Sequence, residues 1–199
     1  MSQQPSEAEI QSRIVKHARV VLDITGRLGN DLPMRAAVYD LQDADATLEA
    51  FDELASEDPG QATNVLLSGM SILFHGYQMH SAKAELARLR NKKISDILMT
   101  PDFAKISDQD LLALSNEAID EFHNACRLAN QDDRLRRNMM SLINGLDAGE
   151  SFDRLCDEDP DLADELLNLG LAAMTSSRMI LLAQRELMRR GIVPTPTDF

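Results

Sequence analysis

The second half of this chain repeats the first. Sliding residues 51–90 by 101 positions onto 152–191 makes 13 of 40 residues identical, where random pairing at ordinary composition gives about two or three. The matches include Phe51/Phe152, Asp52/Asp153, Leu54/Leu155, the run Glu57-Asp58-Pro59 against Glu158-Asp159-Pro160, Leu66/Leu167, Gly69/Gly170 and Glu85/Glu186. Most fall on apolar or capping positions, so what recurs is a fold unit. A fixed period of this kind constrains architecture more than any other feature. Each unit of about 90 residues is near the lower end of single-domain size. The units are therefore expected to pack on each other or on a copy from another chain.

Helical spacing runs through each unit. Ile10, Ile14, His17, Val21, Ile24 and Leu28 recur at 4-3-4-3-4, the seam of packed helices, and predict a first helix over about 5–28 ended by Gly26 and Gly29-Asn30. A second starts at Asp31-Leu32-Pro33 and keeps its spacing to about Ser56, with a bend at 43–46. The third starts most sharply: Asp58 is the N-cap and Pro59 the first helical residue, as Asp159 and Pro160 are later. These starts predict two long helices over about 59–90 and 160–190, the second ended by Gly191. Between them the spacing predicts one helix from about Asp108 to Ala129 and one from about Asp132, broken at Gly145 and Gly149.

No long strand-like alternation occurs. The expected fold is all-α: a tandem duplication of a three-helix unit forming two pseudo-symmetric lobes. Repeat one spans 1–90, a linker 91–107, repeat two 108–191 and a tail 192–199. A glycine in mid-helix costs about 1 kcal/mol against alanine. Its recurrence at Gly69 and Gly170, beside Leu66 and Leu167, predicts close helix approach across a pseudo-twofold interface. The Pro, Asp and Phe residues of Thr100-Pro101-Asp102-Phe103 recur in the tail Thr195-Pro196-Thr197-Asp198-Phe199, and each Phe is read as sealing a bundle end.

Aromatic residues are only 4% and Trp is absent, so the core must be aliphatic, with ten Met as adaptable filler. No apolar run reaches the ~20 residues of a bilayer span, and the start has no basic-then-apolar leader pattern. Two cysteines, Cys126 and Cys156, cannot make a disulfide framework and fit a reducing compartment. The expectation is a cytoplasmic protein. A net charge of −13 argues against direct nucleic-acid contact and against anionic membranes.

That charge is polarised. From Ala36 to Ala82 there is no Lys or Arg, and 147–165 holds nine acids against Arg154. Acids near helix starts and bases near helix ends match the macrodipole. The functional reading is an acidic docking surface made of Glu49, Asp52, Glu53 and Glu57 in one half and Glu150, Asp153, Asp157 and Glu158 in the other.

Little else points to chemistry. His75 and His80 face away from each other on a helix, and their counterparts are Ser176 and Leu181, which predicts a half-buried His80. All four histidines are read as packed and hydrogen-bonded. His123 and Cys126, one turn apart, supply only two of the four ligands of a zinc site. Cys156 stands where the first half has Ala55 and is read as small and buried. No phosphate loop, nucleophile elbow or calcium loop occurs. No cofactor or metal site is assigned.

The plan resembles that of the PhoU family of phosphate-signalling regulators, which has two three-helix repeats and acidic metal-binding motifs of the form E/D-x-x-x-D. Asp153-x-x-x-Asp157 keeps that spacing, whereas Asp52-x-x-x-Ser56 departs from it. The expected function is a non-enzymatic adaptor or regulator that binds a protein with a basic surface, homo-oligomerisation being compatible with it. An acidic mimic of nucleic acid is one alternative. The other, which the resemblance implies, is a metal-binding regulator.

Overall fold

A computed structural model describes residues 5–89 and 108–191, so the expectations for the linker and the tail lie outside the described residues. The described residues form eight helices and no strand: α1 (Glu7–Asn30), α2 (Leu32–Asp43), α3 (Thr47–Glu57), α4 (Pro59–Leu89), α5 (Asp108–Gln131), α6 (Asp133–Asn144), α7 (Ala148–Glu158) and α8 (Pro160–Arg190). The fold is all-α.

Local chemistry sets the boundaries. Ser6 starts α1 with a reciprocal box: its Oγ accepts from the Glu9 N–H at 3.3 Å and its own N–H donates to Glu9 Oε2 at 2.7 Å. Gly26 and Gly29, expected to end this helix, sit inside it. The end is Asp31, which also begins α2: its N–H donates to Arg27 O at 2.8 Å and its carboxylate accepts from the Met34 N–H at 3.0 Å. Asp58 and Asp159 accept from the N–H of Gln61 and Leu162 at 2.9 and 3.3 Å, as their spacing before proline predicts. Gly191 closes α8 in the left-handed region at φ 68°, where glycine pays no side-chain penalty.

Each half of the described residues holds four helices, where the spacing predicts three. Where spacing predicts one bent helix over 31–56, Ala44 turns extended (ψ 138°) and separates α2 from α3. In the second half Gly145 turns extended (ψ 149°), and Asp147 caps α7 by accepting from the Glu150 N–H at 3.1 Å. Gly149 lies inside α7 and breaks nothing. Asp43 and Asp45 flank the first break and Gly145 and Asp147 the second, and both residue types are poor in a helix interior. Each short helix that follows turns a phenylalanine, Phe51 or Phe152, into the core.

Matched helices have equal lengths: 24 residues in α1 and α5, 12 in α2 and α6, 11 in α3 and α7, 31 in α4 and α8. Each starts and ends 101 positions after its counterpart. Helix α1 lies along α4 and α5 along α8, while α4 also packs on α5 and α8 on α1. The main core is one cluster drawn from both halves, including Val38, Phe51, Leu66 and Leu73 with Met139, Phe152, Leu167 and Met174. Two lobes with a core each therefore give way to one shared core. Full burial of one such Leu or Phe stabilises by about 1.5–3 kcal/mol. A second, smaller cluster of Ile10, Ile14, Ala82 and Leu86 ties the start of α1 to the end of α4.

Helix α8 is long and apolar enough, at a mean hydropathy of 1.4, to meet the composition of a membrane span; half of that stretch is buried inside the protein. A core helix packed on several neighbours has the same composition.

The α4–α8 crossing is built on the two predicted glycines. A Cβ on Gly69 would lie 3.0 Å from Gly170 Cα, and one on Gly170 would lie 3.3 Å from Gly69 Cα. Leu66 and Leu167 are each 1% exposed beside them. The rings of Phe51 and Phe152 also meet, edge to face with centroids 5.1 Å apart.

Candidate functional site

Two places gather polar chemistry. The first is the surface of α3 and α7. All eight acids assigned to the docking surface are exposed: Glu49, Asp52, Glu53, Glu57, Glu150, Asp153, Asp157 and Glu158. None of them forms an ion pair with a described residue. The neighbouring Asp159 does, with Arg134.

The two acidic stretches are expected as separate ends of two lobes, but the structure draws them together. Phe51 and Phe152 bring α3 and α7 to one side of the α4–α8 core. Cys156 reports the result. Burial first, then the fields of Asp52, Asp153 and Asp157, push its thiol up to about 11. Acids of both halves thus act on one atom. Cys156 is half-buried rather than buried, and its thiol is held protonated and unreactive.

The second place is the α4–α5 crossing, where Gly76 of α4 lets α5 approach. A Cβ there would lie 2.6 Å from Phe122 Cζ and from Cys126 Sγ. One turn further along α4, His80 stacks on His123 with ring centroids 4.3 Å apart. Lys83 follows and is only 8% exposed. Burial lowers the Lys83 ammonium to about 8 and the His123 ring to about 4; for His123 the positive neighbours His80 and Lys83 add to it. His80 is lowered by burial and then by Lys83. A cavity of about 390 Å³ opens beside the rings, lined by Tyr77, His80, Ser81, Asp120, His123, Asn124, Arg127 and Gln131.

The remaining two histidines pair across α1 and α4. The Nδ1 atoms of His17 and His75 are 2.8 Å apart, so one carries the proton and the other accepts it. Both rings are lowered by burial first, with Lys16 adding to each. The reading of every histidine as packed and hydrogen-bonded holds for this pair; His80 is packed on His123, but its Nδ1 is buried without a partner. Cys126 does not join His123 as a ligand: its thiol is buried and donates to Ile72 O at 3.8 Å. Among the described residues no three His, Cys, Asp or Glu side chains converge as a metal would require.

Spacing along one helix missed the His80–His123 pair and the burial of Lys83, because each contact joins helices more than 40 residues apart. One signal does point to them. Their counterparts 101 positions away are Leu181, Leu22 and Gln184, so three ionisable groups replace two leucines and a neutral amide. Comparison of the chain with protein-family models, with curated proteins and with solved structures finds no match to any of the three.

Proposed function

We propose that this chain is a duplicated helical unit acting as a non-enzymatic adaptor or regulator, and that it binds a protein partner with a basic surface through the acidic face of α3 and α7. The observation that carries this reading is the convergence of Asp52, Asp153 and Asp157 on the Cys156 thiol, with all eight acids exposed and none ion-paired with a described residue. Unpaired acids on one face repel each other, and a cationic partner relieves that repulsion while steering its own approach.

The duplication supports the same reading. Equal helix lengths at a constant offset, and counterparts that touch at Gly69–Gly170 and Phe51–Phe152, are what a twofold relation requires, because only residues near the axis meet their own counterparts. The axis then runs through the acidic face and presents related acids on both of its sides.

The test combines Asp52→Asn, Asp153→Asn and Asp157→Asn, with Asp23→Asn, Glu117→Gln and Glu121→Gln on α1 and α5 as an equally neutralised control. Bait of each kind is used to recover partners from the native host, washed at rising salt. The expected partner is basic, elutes from wild type as screening shortens toward about 3 Å at 1 M, persists on the control and is lost from the triple variant. A partner that stays on the triple variant overturns the proposal. Faster alkylation of Cys156 in that variant shows independently that its local field has changed.

A further inference from the structure

We propose that the α4–α5 crossing is a binding site for a small oxyanion, with His80, His123 and Arg127 as its donors and Lys83 as the charge behind them. This site is separate from the acidic face and goes beyond the partner-binding role. Its cavity, about 390 Å³, is within the size range of small-ligand sites. The wall is rich in donors: Tyr77, Ser81, Asn124 and Gln131 join the two rings and Arg127, against the single carboxylate of Asp120.

The positive charge there is not matched among the described residues. Arg127 donates to neutral amide oxygens, Asn124 Oδ1 at 2.7 Å and Gln131 Oε1 at 3.2 Å. Lys83 is buried and forms no ion pair with a described carboxylate, and its charge depresses both histidines. Burying an uncompensated cation is costly, and an anion in the adjacent cavity offsets that cost. His80 fits the donor role. Its buried Nδ1 has no partner, and the tautomer that leaves no N–H unsatisfied there places the proton on Nε2.

Packing does not require this set of residues. The α1–α8 crossing has the same register, and the counterparts of His80, Lys83, His123 and Arg127 are Leu181, Gln184, Leu22 and Gly26. At these four positions the α1–α8 crossing carries no ionisable side chain. The basic cluster is thus an addition to a working interface, and strongly perturbed ionisable groups beside a cleft mark functional sites.

The experiment follows the imidazole C–H resonances of all four histidines in the full chain, from pH 4 to 8, in sodium sulfate against sodium chloride at equal ionic strength. Sulfate keeps its charge through this range. The expected result is a saturable shift of His80 and His123 alone, with their titration midpoints rising by about one pH unit as the anion stabilises the charged rings. His17 and His75 serve as internal controls. Lys83→Gln, which copies Gln184, is expected to weaken binding at least tenfold. His80→Leu with His123→Leu, copying Leu181 and Leu22, is expected to fold and to abolish the sulfate-dependent rise in melting temperature. A parallel malonate titration separates tetrahedral from carboxylate head groups: whichever binds more tightly names the class. Equal movement of all four histidines, no saturation with either anion, or undiminished binding by both variants overturns the proposal.

Discussion

The α4–α5 and α1–α8 crossings join the same pair of helices by register, yet they are filled in different ways. At α4–α5 the bare backbone of Gly76 faces the ring of Phe122 and the thiol of Cys126. There Asn130 Nδ2 donates to Leu73 O at 3.1 Å, tying the two helices together. At α1–α8 the counterparts are Ser177, Val21, Thr25 and Gly29. Ser177 and Thr25 share a hydroxyl–hydroxyl hydrogen bond of 3.1 Å, and Arg178 reaches over Gly29 where the other crossing has Asn130. One crossing sets a large ring against no side chain, and the other sets medium side chains against each other. In each case the side chain on one helix is matched to the room its partner leaves, while the chemistry there is free to differ. That freedom is what allows a histidine and lysine cluster on one side only.

The largest effect is expected from breaking this volume balance. Gly76→Ser places a side chain where Phe122 Cζ and Cys126 Sγ lie only 2.6 Å from the first added atom. Overpacking of this kind costs about 2–3 kcal/mol. Adding Phe122→Val and Cys126→Thr copies three of the four positions of the other crossing, and at least half of the loss is expected to return. A chemical-denaturation series of the single, double and triple variants measures the coupling. Strictly additive losses would show that the two crossings are not equivalent frames.

A smaller effect is expected from acid, and it sharpens the same contrast. All four histidines are held below their ordinary value by burial, and they lie on the α1–α4 and α4–α5 contacts. The folded chain then binds fewer protons than the unfolded chain, so this stability is complete above about pH 6.5 and is lost as pH falls through that value. For His123 the loss continues until the folded ring itself protonates at about 4. Between pH 7 and 5 the fall is expected to be on the order of 2 kcal/mol. Urea midpoints at each pH check it. Replacing His80 and His123 by leucine is expected to remove most of the slope, and an unchanged slope would place its origin elsewhere.

Much of this architecture was legible in the chain itself. Asp58-Pro59 and Asp159-Pro160 announced both long helices, since an acceptor side chain before a fixed φ leaves few alternatives. Gly69 and Gly170 announced their own contact, because a mid-helix glycine is costly unless something comes close. The break at Gly145 was legible in that glycine, whereas the one at Ala44 reads only as a bend at 43–46: the apolar spacing on either side stays in phase, so periodicity carries through a break that the backbone does not. The shared core was hidden for a different reason. A repeat states that two units are alike and is silent on which helices of one pack against the other. The acidic residues were visible one by one, but their meeting at Cys156 depends on Phe51 touching Phe152 across the core. Lys83 is one of several bases toward the end of a long helix in the sequence, and spacing along that helix does not state its burial.

The smallest effect tests the crossing at which counterparts meet each other. A Cβ on Gly69 would press on backbone, with Gly170 Cα at 3.0 Å and Gly170 C at 3.2 Å, so α8 itself must move. A Cβ on Gly170 meets first the terminal methyl of Met70 at 3.0 Å, the far end of a flexible side chain that can swing aside. Both substitutions gain up to about 1 kcal/mol of helix propensity. Gly69→Ala is therefore expected to lose about 1 kcal/mol net, the overpacking exceeding the gain, while Gly170→Ala stays near zero. At this chain length the difference corresponds to roughly 2–4 °C in melting temperature. Equal losses would mean that backbone contact dominates on both sides and that the crossing is more symmetric than Met70 makes it. The counterpart of Met70 is Leu171, a stiffer side chain, so Met70→Leu in the Gly170→Ala background is expected to raise the cost toward that of Gly69→Ala.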